Sequence, residues 1–68
     1  MFAPVTSATT GEVEWINVNQ IVRMARIQKR KRGITYEVTL ATKSNGTFEE
    51  FVETPEKVNE YISKQHRF

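Results

Sequence analysis

Apolar and polar residues alternate across residues 34–42: Ile34, Tyr36, Val38 and Leu40 are interleaved with Thr35, Glu37, Thr39 and Ala41. Successive side chains of a strand point to opposite sides, so this spacing predicts a half-buried β-strand with four apolar groups on one face. Lys43, Ser44, Asn45 and Gly46 follow, and Asn-Gly is the favoured pair for a type I′ hairpin because both residues tolerate positive φ. Residues 47–53 then return as the next strand, where the adjacent Phe51 and Val52 imply two covered faces or a bulge. Upstream, residues 13–18 are rich in β-branched and aromatic side chains and predict a first strand. Residues 17–20 supply turn-capable side chains. Residues 21–28 suit helix or strand by propensity. Strand is preferred, because residues 34–42 need an antiparallel partner and the cationic stretch between them makes a good hairpin tip.

The end of the chain changes period. Thr54, Pro55 and Glu56 form a helix start, with Thr as N-cap, Pro at the first helical position and an acid in the first turn. Val58, Tyr61 and Ile62 follow at i, i+3 and i+4, an apolar stripe suited to packing on a sheet. The expectation is a helix over 55–65 and a tail over 66–68. Residues 1–12 hold Thr, Ser, Ala, Pro4 and Gly11 with no period, which predicts a flexible N-terminal arm. The expected organisation is thus an arm, a single domain over 13–65, and the tail.

Charge adds a candidate site. The 68 residues carry ten Lys+Arg against eight acids, all Glu, for a formal charge of +2. Six of the cations, Arg23, Arg26, Lys29, Arg30, Lys31 and Arg32, fall in a stretch without an acid. Phosphate binding dominates nucleic-acid affinity and requires such a concentration, so these six are the candidate nucleic-acid-binding residues. Arg23 and Arg26 are separated by an odd spacing, so a regular strand sends them to opposite faces. Trp15, Tyr36, Phe48 and Phe51 could act as stacking platforms, although at strand spacing core positions are the commoner use.

Catalysis is not expected. There is no Cys and no Asp, and the single His66 lies in the tail, so Ser7, Ser44 and Ser63 lack a base and an orienting group. Glu49 and Glu50 point to opposite faces of a strand, and Glu49 and Glu53 are about 13 Å apart by strand rise, too far for paired acid–base work. No cofactor or metal is implied. No apolar run approaches the roughly 20 residues that cross a bilayer, and residues 1–11 lack the basic and apolar regions of a secretory signal. A cytoplasmic location is the expectation, in the host if the chain belongs to a phage.

Two resemblances extend this reading. Asn17 and Ile21, the alternating strand of residues 34–40, Asn45-Gly46, and the series Val52, Glu53, Thr54, Glu56, Val58 and Ile62 resemble the short flagellar-operon proteins of the FlbD type, small β proteins with a terminal helix. An antiparallel, strongly bent sheet of about five short strands in so short a chain is also similar to the Sm-like (LSm) small β-barrels, including those of marine phages. That likeness implies a mainly β, Sm-like barrel with a short C-terminal helix, edge-to-edge association into a homo-oligomeric ring, and RNA binding. It carries over no RNA-binding residue, since Asp is absent. The functional expectation is therefore a ring-forming protein that binds RNA or single-stranded DNA through its basic hairpin. The alternative is a structural or adaptor module whose basic hairpin contacts an acidic protein.

Overall fold

Five strands and one helix follow one another as β1 (Phe2–Thr6), β2 (Val13–Asn17), β3 (Ile21–Lys31), β4 (Ile34–Lys43), β5 (Phe48–Phe51) and α1 (Pro55–Gln65). A single 3₁₀ turn, Val18–Gln20, joins β2 to β3. The structure is a computed structural model and describes residues 1–65. The expected tail of residues 66–68, with His66, lies outside the described residues.

The expected mainly β class is found. The strands form two antiparallel sheets, β1-β2 and β3-β4-β5, which are not closed into a barrel. The two sheets meet where β1 runs out. Ser7 and Phe51 form an isolated antiparallel bridge. The Val52 N–H donates to the Thr6 carbonyl at 2.9 Å and the Ala8 N–H to the Glu50 carbonyl at 3.1 Å. Between the sheets lies a core of Ala3, Val5, Ile16, Val18, Ala41, Phe51 and Val58, bordered by Met24, Tyr61 and Ile62.

The N-terminal residues correct the expected flexible arm. Residues 2–6 form β1, which pairs with β2 from Phe2↔Asn17 to Thr6↔Val13 and buries Ala3 and Val5 almost completely. Pro4 is tolerated there because β1 is laddered along its length on one side only, so its missing N–H removes no second set of bonds.

The strand over residues 34–42 is present, but the core lies on the side not expected. Antiparallel partners share a face. Thr39 pairs with Phe51 and Ala41 with Met24, and Thr39, Ala41 and Phe51 are all buried. On the opposite face Val38 is buried, while Ile34 and Tyr36 are exposed. The core thus takes the small residues of β4, because the β1-β2 sheet and α1 cover that side.

The loop of residues 43–47 also departs from expectation. Asn45 does not have positive φ; Gly46 does, at 89°. Lys43 N–H donates to the Thr47 carbonyl at 2.7 Å and Gly46 N–H to the Lys43 carbonyl at 3.0 Å, the pattern of a turn followed by a glycine bulge. Asn45 earns its place by its side chain, whose Oδ1 accepts from the Thr47 N–H and hydroxyl. The helix forms where its start was read: the Lys57 N–H donates to Thr54 Oγ1 at 3.2 Å, and Val58 is fully buried in the core.

One carboxylate clasps the two sheets. Glu53, just beyond β5, accepts from the Thr6 N–H (2.7 Å, Oε1) and the Thr6 hydroxyl (2.8 Å, Oε2). Its main-chain carbonyl accepts from the hydroxyl of the fully buried Thr39 on β4. Partial burial opposes ionisation of Glu53, but the backbone and hydroxyl donors of Thr6 outweigh it, and the carboxyl is held below the ordinary Glu value. A carboxyl more acidic folded than unfolded stabilises the fold fully above the unfolded value, about 4.3, and that contribution is lost as pH falls through the folded value. Glu53→Gln is therefore expected to destabilise the fold by about 1–2 kcal/mol at neutral pH. It should also flatten the loss of stability that the wild type shows below pH about 4.3. Urea denaturation of both proteins across the acid range checks this; parallel curves would rule out the clasp as the source.

Candidate nucleic-acid interface

The basic segment lies on a hairpin that outruns the sheet. β5 pairs with β4 only from Thr39 to Thr42. Beyond Thr39, β3 and β4 continue alone through Ile27↔Val38, Gln28↔Glu37, Lys29↔Tyr36, Arg30↔Thr35 and Lys31↔Ile34. The loop closing this projection has two residues, Arg32 and Gly33, with φ of 53° and 78°. Positive φ at both central residues is the signature of a type I′ turn, whose twist matches that of the strands it joins. The tight turn read at Asn45-Gly46 thus occurs at Arg32-Gly33. An L-residue in the left-handed region costs about 1–2 kcal/mol, which Gly avoids and Asn reduces. Arg32 bears that cost, and among the described residues it is the one non-glycine with positive φ.

Register divides the six cations. Arg23, Lys29 and Lys31 share one face with Leu40, Tyr36 and Ile34; Arg26 and Arg30 share the other with Thr39, Glu37 and Thr35. The odd spacing of Arg23 and Arg26 separates them as expected, since the irregularity in β3 falls before Arg23. Arg23 lies eight residues from Lys31, about 26 Å at the usual rise, and is not part of the tip.

Two of the six are occupied by the fold. Arg26 Nη1 donates to Thr39 Oγ1 at 3.1 Å and to the Val52 carbonyl at 3.4 Å, and its Nε lies 3.8 Å from Glu37. Lys29 Nζ lies 2.8 Å from Glu50, whose hydrogen bond to the ammonium holds the lysine above its ordinary pKa. The remaining acids of the β5 region are engaged as well, Glu49 with Lys43 at 3.2 Å and Glu53 with Thr6. Arg23, Arg30, Lys31 and Arg32 have no ion-pair partner among the described residues.

Compared with known proteins, the chain matches no protein-family model, no curated protein and no solved structure.

The tip therefore carries three uncommitted cations, Arg30 on one face, Lys31 on the other and Arg32 in the turn between the strands. Beside them, Lys31, Arg32, Ile34 and Tyr36 line an open surface concavity. Sequence reasoning placed Ile34 and Tyr36 in the core and gave Arg26 the same role as its neighbours. The signal that separates Arg26 is its register opposite Thr39, which needs the sheet pairing and cannot be read from spacing alone. Arg26→Met is expected to cost about 1–2 kcal/mol, because it removes the donor to the buried Thr39 hydroxyl and the Val52 carbonyl. Arg30→Met should stay within about 0.5 kcal/mol. Chemical denaturation of both variants checks the division; equal costs would refute it.

Proposed function

We propose that this protein binds nucleic acid through the sugar–phosphate backbone, with Arg30, Lys31 and Arg32 as the phosphate-contacting residues. One observation carries the reading. Three adjacent cations without an intramolecular acid stand at the end of a two-stranded projection, and one of them occupies a backbone conformation that disfavours its side chain. A solubilising turn needs neither the strained Arg32 nor three like charges in a row. Strained residues that folding does not require are commonest where function requires them. Repulsion among the three is relieved when an external polyanion supplies the counter-charge, and displacement of condensed counterions from phosphates then favours association. No role in catalysis is proposed. Among the described residues no helix is long and apolar enough to cross a membrane.

The same reading includes self-association. Among the described residues the outer edges of β2 and β3 have no ladder partner, and Val13 and Trp15 lie exposed on the outer face of β1-β2. Open edges beside apolar side chains are liabilities that pairing with another copy removes, and closed cyclic pairing gives a ring that repeats the basic hairpin around its axis.

Binding is tested by fluorescence anisotropy with labelled RNA, single-stranded DNA and duplex at several salt concentrations. Three phosphate contacts on a single strand give a log–log salt slope of about 2. Replacement of Arg30, Lys31 and Arg32 by Ser should lower both affinity and slope while the thermal midpoint holds. Absence of wild-type binding at low salt, or equal binding by the triple variant, overturns the reading and leaves the hairpin to an acidic protein surface. Light scattering tests assembly: a solution mass above the 7.9 kDa of one chain is expected, and a monomer at micromolar concentration overturns it.

A further inference from the structure

The charged end of the hairpin has an apolar side that the fold does not use. Ile34 is 68% exposed and Tyr36 39% exposed, on the face shared with Lys29 and Lys31. The hydrophobic core forms on the opposite face of β4, through Ala41 and its partner Met24, and it includes neither Ile34 nor Tyr36. Among the described residues no third strand reaches this level, because β5 ends its pairing at Thr39. The concavity at the tip is lined by two cations, Lys31 and Arg32, and by two apolar side chains, Ile34 and Tyr36. A site for phosphate alone gains nothing from the apolar pair, and a packing site gains nothing from the cations.

We infer that this concavity holds one unpaired nucleobase, stacked on the Tyr36 ring against Ile34, while Lys31 and Arg32 hold the phosphates that flank it. The inference rests on the backbone-binding reading above and deepens it by naming single-stranded nucleic acid as the ligand. Stacking is available to every base because each has a π-face, so the subsite sorts strands by access and not by sequence. A duplex offers its base edges in the grooves but keeps the faces stacked inside. It therefore engages the cations only. Ile34 supplies the apolar flank that excludes water from one side of the base. Lys29, opposite Tyr36, is engaged by Glu50 at 2.8 Å, so the cations that serve this subsite are those nearer the turn.

The experiment compares four labelled ligands of equal length on the full chain at one low salt concentration: oligothymidylate, oligouridylate, an abasic strand and a duplex. Their affinities are read by anisotropy. The abasic strand keeps the phosphates and removes the bases. The expected result is about tenfold tighter binding of both base-bearing single strands than of the abasic strand or the duplex. Tyr36→Ala should abolish that difference while leaving abasic affinity unchanged, and Tyr36→Phe should preserve it. Equal binding of the abasic and base-bearing strands by the wild type overturns the base subsite and leaves backbone binding standing. Absence of binding to all four overturns both. The wild-type comparison needs no variant to fold. A difference that survives Tyr36→Ala overturns the assignment to this ring.

Discussion

The arrangement depends on the two residues after β5. Val52 and Glu53 hold β1 by three hydrogen bonds, one from the Val52 N–H and two into the Glu53 carboxylate. They hold β3 and β4 through their carbonyls, which accept from Arg26 and Thr39. The next residue, Thr54, caps α1. A short segment therefore helps set the relation between two sheets that otherwise meet through the apolar core and the rest of the isolated bridge. A hydrogen bond to a charged group contributes about 1.5–3 kcal/mol, against a total of about 5–15 kcal/mol for ordinary domains. In a chain this short the buried apolar area is small, and the clasp carries a correspondingly large share of the fold's definition.

The clasp also determines which end of the hairpin is free. Arg26 is drawn to the Thr39 hydroxyl and the Val52 carbonyl at the base of the projection, where β5 still pairs with β4. Thr39 is fully buried, yet its hydroxyl both donates and accepts, so its burial leaves no polar group unsatisfied. Lys29 is tied to Glu50 of β5 one step further out. Beyond that point no acidic residue of the sheet pairs with the chain's cations. Toward the turn, the change from engaged to uncommitted cations follows the limit of the third strand's reach, because Glu50 of β5 is the carboxylate that holds Lys29; Arg23, at the other end of β3, is uncommitted as well.

The strands and the helix were legible because their signals are local. The alternation over residues 34–42, the β-branched run at 13–18 and the Thr54-Pro55 cap each describe one segment against solvent. What was illegible depends on pairing. β1 shows only Ala3 and Val5 to the core, too few for a visible period, and Pro4 argues against a strand unless one side is known to be unladdered. The alternation of β4 marks an apolar face, but which face meets the core follows from where the β1-β2 sheet and α1 lie. Asn45-Gly46 was read as a type I′ turn because the pair favours it. The four-residue connection from β4 to β5 instead uses a glycine bulge, and the two-residue turn falls on Arg32-Gly33, a pair that propensity alone ranks lower. The six cations were visible as a cluster; their separation into engaged and free residues is a matter of register.

The surface left over is larger than folding explains. A compact monomer of 7.9 kDa exposes about 4,400 Å² by the usual scaling, whereas this chain exposes 5040 Å². Five of the eight exposed large apolar side chains among the described residues fall into two settings of different chemistry. Phe2, Val13 and Trp15 lie on the outer face of β1-β2, bordered at Val13 and Trp15 by an open strand edge and, among the described residues, with no cation on that face. Ile34 and Tyr36 lie among Lys31 and Arg32. A surface of the first kind is satisfied by another apolar surface, since burial there costs no charge desolvation. A surface of the second kind resists such burial, because Lys31 and Arg32 would lose hydration without gaining a counter-charge. Its complement must offer a flat apolar face and negative charge within a few ångströms of each other. An unpaired nucleotide meets both conditions, which is why the base subsite is proposed there and not on the β1-β2 face.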